Sequence, residues 1–332
     1  MKKALLLINL GTPRSTDPND VGDYLTEFLT DKYVIDLPYI FRQFLVRALI
    51  VPKRKFASAE KYKRVWLKEG SPLLFHTENI SEKLNKALDQ YDVSYAMRYG
   101  EPSILSQLEK IKDYDRIEVL PLYPHDTKSS ITTALEAVEK ASKKLKIESK
   151  INIIKPFYDK EFFISSLADK IKSEINIDEK DFILFSYHGI PVHHLPAKCA
   201  ECNLESPKNC KDSALINDCY RAQCYKTTEL VAKSLGLPES KYMTSFQSRL
   251  GKRPWIKPYT DLVIDELKKR GVRSLAVLSP SFVADCLETL EELGMELKED
   301  FEADNSDYDL KFIPCLNDSD VFIKNLSGFL NT

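Results

Sequence analysis

Residues 181–191 read DFILFSYHGIP, and this stretch decides the fold. Residues 181–187 form an apolar run with almost no polar alternation, which is typical of a strand in a parallel sheet covered on both faces. His188, Gly189 and Pro191 then end the run as a turn would. In open α/β sheets, ligands bind beyond the carboxyl ends of the strands. We therefore expect His188 to lie at a binding site.

Seven more apolar runs predict strands, at residues 3–9, 93–97, 116–122, 150–156, 242–247, 273–280 and 309–314. Charged amphipathic stretches between them are long enough for crossover helices. The pattern predicts an α/β fold with two similar Rossmann-like domains, each a four-stranded parallel sheet flanked by helices, and an active cleft between them. We place the domains at residues 1–158 and 159–316, and we expect a helix at about 317–331 to pack back on the first domain.

Composition narrows the function classes. The 332 residues are 43% hydrophobic and 30% charged, with a net charge of −2, so the chain is predicted to be globular without a basic surface for nucleic acid. No Walker loop or G-x-G-x-x-G motif indicates a nucleotide cofactor, and no G-x-S-x-G elbow indicates a hydrolase. The N-terminal run ALLLINL is too short for a membrane span or signal peptide, so we expect a cytoplasmic protein.

One segment favours a different surface. Residues 33–55, YVIDLPYIFRQFLVRALIVPKRK, are rich in Phe, Leu and Ile and end on basic residues. They predict an amphipathic element that lies on a membrane surface or lines an apolar cleft. The alternative is a helix that faces the core.

Two groups of polar residues are candidates for chemistry. His188 at a strand end suits a base or a metal ligand, although a histidine bonded to a loop carbonyl is the alternative. Glu288, Glu292 and Glu296 recur every four residues and share one helix face. Few lysines accompany them, so they predict a path for a hard cation or ferrous iron as well as the ordinary solvated face. His193 and His194 are interpreted as loop residues.

Aromatic and basic residues gather at the predicted strand ends. The aromatic residues at these ends are Tyr99, Tyr123, Trp255, Tyr259 and Phe282, and the basic residues are Arg98 and Arg249. Singly, each aromatic residue is expected in a core. Together they suit a large flat aromatic ligand that bears carboxylates.

Five cysteines occupy a segment that we place at 196–224. Cys199, Cys202, Cys210, Cys219 and Cys224 give the spacing C-x2-C-x7-C-x8-C-x4-C. Thiols stay reduced in the cytoplasm, so this pattern predicts metal ligands rather than disulfides. Zinc and an iron–sulfur cluster both fit four thiolates, and unliganded thiols are the remaining alternative.

These motifs together resemble the ferrochelatase family, whose members insert ferrous iron into porphyrins. The resemblance covers nearly the whole chain and is carried by LLLINLGTP, RVWLKEGSPLL, AMRYGEPSI, LPLYP, FSYHGIP, TSFQSRLGKRPWIKPYT and SFVADCLETLEELGME. One departure follows Pro124, where this chain has His125-Asp126 in place of the family's usual Gln-Tyr.

The resemblance implies roles for single residues. It places the catalytic pair, which also contacts the substrate iron, on His188 and Glu288. It extends an acidic path along Glu292 and Glu296, on a helix with a π-type widening. It assigns porphyrin contacts to Arg98, Tyr99, Tyr123, Trp255 and Phe282.

The implied reaction is the last step of haem synthesis, in which protoporphyrin IX becomes protohaem through ring distortion and pyrrole deprotonation. A coproporphyrin III ferrochelatase, a chelatase for another tetrapyrrole, and a non-catalytic porphyrin- or iron-sensing protein are the alternatives. Some family members hold a [2Fe–2S] cluster, which favours this cluster over zinc. The expected ligands are then Cys199, Cys202, Cys210 and Cys219, with Cys224 as alternate. The partners are porphyrin and ferrous iron, without nucleic acid, and the protein is a monomer or homodimer, with contact at the inner face of the membrane as an added expectation.

Overall fold

The structure, a computed structural model, describes residues 3–196, 216–249, 251, 253–303 and 307–331. Its strands form two four-stranded sheets in which all neighbours are parallel, ordered β2-β1-β3-β4 and β6-β5-β7-β8. The strands are β1 (Lys3–Gly11), β2 (Tyr91–Tyr99), β3 (Arg116–Pro121), β4 (Ile151–Ile153), β5 (Phe182–His188), β6 (Tyr242–Gln247), β7 (Ser274–Leu278) and β8 (Asp309–Phe312). Each of the eight predicted runs contains or overlaps one of them, and the predicted fold class is confirmed.

Helices connect the strands. The α-helices are α1 (Pro18–Leu29), α2 (Tyr39–Phe44), α3 (Val51–Val65), α4 (Pro72–Ala87), α5 (Ile104–Ile111), α6 (Thr133–Leu145), α7 (Glu161–Glu174), α8 (Tyr220–Leu235), α9 (Thr260–Lys269), α10 (Leu287–Leu290), α11 (Leu297–Glu302) and α12 (Asp320–Leu330). The π-helices are Leu45–Ile50, Lys128–Thr132 and Glu292–Glu296. Short 3₁₀ helices are Glu148–Lys150, Ile177–Glu179, Val192–His194, Ile216–Asp218 and Glu239–Lys241.

The chain divides into two compact units. The first contains residues 1–123 and 127–156, and the second contains 124–126 and 157–330. In the first, Leu5 and Leu7 point to one face of β1 while Leu6 and Ile8 point to the other, and all four are fully buried. Both faces of the sheet are therefore covered, which explains why the run lacks polar alternation.

The second unit has its own core. Phe182 and Leu184 of β5 pack with residues of α9, such as Leu267, and with residues of α11, such as Phe301. Because this cluster and the opposite face of β5 are both apolar, the strand stays fully buried until it reaches His188.

The C-terminal helix differs from its predicted place. Helix α12 packs against α7 of the second unit, whereas we expected it on the first. The rings of Phe162 and Phe329 stack with centroids 4.7 Å apart, and the Asn325 amide donates to the Ser166 hydroxyl at 3.0 Å. An aromatic pair and a buried polar contact thus fix the helix on α7.

The amphipathic segment forms α2, the π-helix Leu45–Ile50 and α3. In α2 the charged side chain is inside: Arg42 is 8% exposed and donates to the carbonyls of Thr30 (2.8 Å) and Leu37 (2.6 Å). Ile40 and Phe41 are instead 78% and 70% exposed. The alternative of a core-facing helix is therefore wrong for α2.

Among the described residues, no helix has both the length and the hydropathy needed to cross a bilayer.

Candidate active site

His188 closes strand β5, and its ring is oriented by its own chain. The Nδ1 atom lies 2.7 Å from the carbonyl oxygen of Gly189. A carbonyl oxygen only accepts, so Nδ1 is the donor, and in the neutral imidazole Nε2 has the bare lone pair. The alternative of a histidine bonded to a loop carbonyl is thus also realised. That bond leaves Nε2 able to take a proton or bind a metal.

The backbone of His188 is held by two hydroxyls from other elements. Its N–H donates to Ser281 Oγ at 3.1 Å, and its carbonyl accepts from the Tyr220 hydroxyl at 2.7 Å. Tyr220 and Ser281 are 3.0 Å apart. The ring of Phe282 meets the His188 ring edge-on, with centroids 6.1 Å apart. The strand end is therefore fixed before any ligand binds.

Gly189 permits a close approach between two chain segments. Its N–H donates to the Gln247 carbonyl at 2.7 Å, and a Cβ atom at this position would lie only 2.8 Å from the same oxygen. A side chain would displace the end of β6. The glycine after the histidine is therefore a packing requirement.

Gln247 joins the histidine to the acidic helix. It pairs with His188 in the sheet register, and its side-chain amide donates to the main-chain oxygen of Glu288 at 2.7 Å. Its side-chain oxygen accepts from Ser186 of β5 at 2.8 Å. One buried amide thus ties the strand that carries His188 to the start of the helix that carries Glu288.

Glu288 lies in the first turn of α10, directly after a buried cap. Asp285 is buried and accepts from Thr289 (3.0 Å), from the Cys315 N–H (3.1 Å) and from the Asn317 amide (2.7 Å). Burial raises the pKa of the neighbouring Cys286 thiol well above its usual range, and the nearby Glu288 carboxylate raises it further. The thiol therefore stays protonated beside Glu288.

The next two carboxylates lie on a π-helix. Glu292 and Glu296 begin and end this segment, and the Glu296 N–H bonds back five residues to the Glu291 carbonyl at 2.9 Å. The widening that the family resemblance implied is present. The Ser248 hydroxyl donates to the Glu292 carboxylate. Among the described residues no group of three or more His, Cys, Asp or Glu side chains is arranged to hold a metal ion, so the acidic column is not a ready-made metal cage.

Arg98 and Tyr99 end strand β2 in the first unit and share one partner. A single oxygen of Asp31 accepts from Arg98 (2.6 Å), from the Tyr99 hydroxyl (3.0 Å) and from Thr133 (2.5 Å). The Arg98 guanidinium lies 4.3 Å from the centre of the Tyr99 ring. Tyr99 is fully buried, and burial raises its pKa well above the usual range. Its ring thus supports Arg98 from the core and presents no face to a ligand, which differs from the predicted porphyrin contact.

The other three residues that were predicted to contact the porphyrin differ from one another in solvent exposure. Tyr123 is buried, and its hydroxyl lacks a hydrogen-bond partner among the described residues. Trp255 and Phe282 are half-buried. Trp255 lies in the second unit, where its backbone pairs with Pro191 in an isolated bridge near His188. His193 is exposed and contacts Arg253 at 3.0 Å, as expected for a loop residue.

Of the five cysteines in the predicted metal-binding segment, the structure describes the last two. Cys199, Cys202 and Cys210 lie outside the described residues. Cys219 immediately precedes α8, and Cys224 is inside that helix; both are buried, and neither forms a disulfide with another described residue. Cys224 interacts with the buried Tyr187 and Tyr220 side chains, so protein atoms already occupy its surroundings. This favours Cys219 over Cys224 as a ligand.

Sequence patterns gave no indication of several supporting residues: Asp31, Tyr220, Gln247, Ser281 and Asp285. Tyr220 and Ser281 are 32 and 93 residues from His188 along the chain. Their contribution depends on tertiary contact, for which a single sequence has no periodic signal. Three of them, Gln247, Ser281 and Asp285, do lie within motifs that carry the family resemblance.

Solved structures with a similar fold include SirB and CbiX. "SirB from Bacillus subtilis with Fe3+" has a TM-score of 0.58 at 11% identity and covers 100% of this chain and 95% of its own. CbiX, described as the terminal enzyme for biosynthesis of siroheme in denitrifying bacteria, has a TM-score of 0.50 at 9% identity, with 100% and 98% covered. At such identities the similarity shows the fold alone.

Sequence similarity is much stronger. Proteins named ferrochelatase are 44% identical in Legionella pneumophila subsp. pneumophila, covering 100% of this chain and 99% of theirs, and 41% identical in Pseudomonas fluorescens, covering 98% and 96%. One from Bdellovibrio bacteriovorus is 38% identical, covering 100% and 99%. The ferrochelatase family model matches residues 2–332. With this match across the whole chain, the protein belongs to the ferrochelatase family.

Proposed function

We propose that this protein inserts ferrous iron into protoporphyrin IX to form protohaem. The observation that carries the proposal is the tautomer of His188, whose bare Nε2 can accept a proton at the end of a buried strand. Membership of the ferrochelatase family supplies the reaction class, a metal chelatase of the lyase type.

The chemistry follows from the substrate. A free porphyrin carries two pyrrole N–H protons, which leave as the metal enters. His188 Nε2 takes one pyrrole proton, with Glu288 orienting or sharing it, and the second proton leaves to solvent water. A bent porphyrin exposes its nitrogen lone pairs, and this bent ring resembles the transition state. A site that binds the bent ring is therefore complementary to the transition state. Glu292 and Glu296 extend from Glu288 as carboxylates that guide the incoming iron.

Binding of the porphyrin is assigned to Arg98, Tyr123, Trp255 and Phe282, with Tyr99 as support for Arg98. The guanidinium of Arg98 suits a propionate carboxylate, although Asp31 holds it in this structure. The buried Tyr123 hydroxyl, which has no hydrogen-bond partner among the described residues, is the second polar group of the proposed binding set.

An anaerobic assay with protoporphyrin IX and coproporphyrin III tests the proposal. His188→Ala is expected to abolish iron insertion because the base is gone, while circular dichroism stays that of the wild type. His193→Ala is the matched control, since it removes an exposed histidine from the same loop. Near-normal turnover in His188→Ala contradicts the assignment. Faster turnover with coproporphyrin III moves the substrate to that porphyrin.

A [2Fe–2S] cluster on Cys199, Cys202, Cys210 and Cys219 is the proposed cofactor, with zinc as the alternative. Four thiolates match the ligand requirement of such a cluster. Of the four proposed ligands the structure describes Cys219, which is buried at the N-cap position of α8. Cys219→Ser is expected to remove visible absorption from purified protein, whereas Cys224→Ser keeps it. A colourless, zinc-containing wild type contradicts the cluster.

We further propose that the enzyme works in the cytoplasm at the inner face of the membrane, and that helix α2 makes the contact. Tyr39, Ile40, Phe41 and Phe44 are all more than 60% exposed, and they stand side by side on a short helix. Lys53, Arg54 and Lys55 follow and suit anionic headgroups.

A further inference from the structure

Three hydrogen bonds close a ring on the peptide groups of His188. Its N–H can only donate, so it donates to Ser281 Oγ. The Tyr220 hydroxyl has one hydrogen, which it gives to the His188 carbonyl, the only acceptor of that pair. The contact between the two hydroxyls then has one direction: Ser281 donates to Tyr220. The bonds run from His188 N–H through Ser281 and Tyr220 back to His188 C=O.

This ring uses every hydroxyl hydrogen it contains. Within the ring, Ser281 and Tyr220 each accept once and donate once, so the bonds polarise in the same sense and strengthen one another. The peptide group between His188 and Gly189 is held at both ends. Its C=O accepts from Tyr220, and its N–H donates to the Gln247 carbonyl. Rotation of that peptide group therefore breaks at least one bond.

We propose that Tyr220 and Ser281 are positioning residues for His188. By fixing the peptide group that precedes the Gly189 carbonyl, the ring keeps that carbonyl on Nδ1–H and keeps the lone pair on Nε2. Ser281 is adjacent to Phe282, so the same ring also sets the edge-on contact between the Phe282 and His188 rings. The kinetic part of this inference rests on the proposed function.

The surroundings of Tyr220 suit a permanent donor. Its side chain is buried at the start of α8, and its ring meets the His125 ring edge-on, with centroids 6.0 Å apart. Burial raises the pKa of Tyr220 well above its usual range, so the hydroxyl keeps its hydrogen at all working pH values.

Tyr220→Phe and Ser281→Ala, singly and together, test the ring. Tyr187→Phe is the matched control, because Tyr187 is equally buried, directly precedes His188 and bonds Thr228 at 2.9 Å, outside the ring. Steady-state assays with protoporphyrin IX and ferrous iron give kcat and KM. Nitrogen-15 NMR of labelled histidine reports the His188 tautomer, with His188→Ala assigning the signal.

We expect Tyr220→Phe and Ser281→Ala each to lower kcat about tenfold, with the porphyrin KM unchanged within about twofold, since a misplaced base affects the chemical step. The double variant should be no slower than the worse single one, because either change opens the ring. The Nε2–H tautomer of His188 should appear in both single variants and be absent from Tyr187→Phe.

An unchanged tautomer in both single variants overturns the inference, as does an equal loss of kcat in Tyr187→Phe. If Tyr220→Phe does not fold, Ser281→Ala decides alone, because Ser281 is only half-buried. The tautomer can be read without turnover. Failure of the wild type to insert iron would therefore reject the proposed function and leave the NMR result to judge the ring.

Discussion

His125 shows how much one residue depends on surroundings that its sequence neighbours do not reveal. It stands where the family usually has glutamine, and it is 2% exposed. The rings of Tyr158, Phe163, Tyr187 and Tyr220 surround it. Thr227 donates to the Tyr158 carbonyl, so His125 Nε2 donates to Thr227, at 2.9 Å. Its Nδ1 has no partner among the described residues.

This burial predicts a pH effect on stability. Desolvation lowers the pKa of His125 from 6.5 to about 3, so below pH 6.5 the unfolded chain binds a proton that the folded chain excludes. The free energy of unfolding is therefore unaffected by His125 above pH 6.5, and it decreases as the pH falls from 6.5 to about 3. The loss is about 1.4 kcal/mol per pH unit, or roughly 2 kcal/mol at pH 5.

His125→Gln tests this effect, because glutamine keeps a donor for Thr227 and does not titrate. Urea unfolding at pH 7 and pH 5 gives the free energy of unfolding for both proteins. The wild type should lose about 2 kcal/mol more than the variant between these pH values. Equal losses contradict the predicted burial of a neutral histidine.

The sequence indicated the candidate catalytic residues but not the residues that hold them in place. His188 and the three glutamates have local signals: a strand end, and a four-residue repeat. Tyr220 and Asp31 have none, because an ordinary buried tyrosine or a loop aspartate looks the same in sequence.

Among elements, the strands were predictable and the π-helix was not predictable from periodicity. A parallel strand buried on both faces produces a continuous apolar run, which the sequence shows directly. Carboxylates every four residues fit an α-helix and a π-helix alike, so only the family resemblance implied the widening. The orientation of helix α2, with its apolar side chains exposed and Arg42 buried, was also not predictable. The sequence pattern of α2 does not indicate which side faces the protein.

Deletion of Gly294 tests the role of the π-helix. A π-turn holds one residue more than an α-turn, so removing one residue should give a regular helix and leave Leu297 and Phe301 in the core. The spacing from Glu292 to Glu296 would then fall from four residues to three, which changes the distance between these two carboxylates. We expect the apparent KM for ferrous iron to rise on the order of tenfold, with thermal stability kept.

Gly294→Ala is the control for the deletion, because it adds a side chain at this position without changing the number of residues in the π-helix. A Cβ atom at this position would lie 3.3 Å from the Phe312 ring, a tight contact that leaves the π-turn in place. The iron KM of this variant should stay near that of the wild type. A deletion variant with an unchanged iron KM would show that the π-turn does not align a path for iron.

For the molecule as a whole, the least predictable feature was which unit a helix joins. Helix α12 was expected from its sequence, yet its place on α7 depends on the Phe162–Phe329 stack and on the Asn325 contact. Both partners lie about 160 residues away along the chain. Apolar helices fit many surfaces, so their destination is decided by side-chain detail.

Membrane contact through α2 is a prediction about the whole surface. The net charge of −2 gives no general attraction to anionic lipids, so binding should depend on the local apolar and basic residues. Each exposed side chain that enters the bilayer interface contributes about 1 kcal/mol, so Ile40→Ser with Phe41→Ser should weaken binding to phosphatidylglycerol vesicles at least about tenfold.

Co-sedimentation measures this binding, and Leu262→Ser is its control, because Leu262 is 57% exposed on α9 in the second unit. The control should bind vesicles as the wild type does, and higher salt should weaken both. Equal binding by the α2 double variant would remove the proposed contact.

The equal strand order of the two sheets has a consequence for ancestry. The orders β2-β1-β3-β4 and β6-β5-β7-β8 repeat one pattern, as expected if the gene for one four-stranded unit was duplicated. β1 and β5 are then counterparts, and Gly11 ends the first where His188 ends the second. Gly11 has a φ of +115°, and a Cβ atom there would lie 1.8 Å from the Tyr99 carbonyl oxygen. The first copy is thereby closed to any side chain at that position, and only the second could inherit or acquire a base.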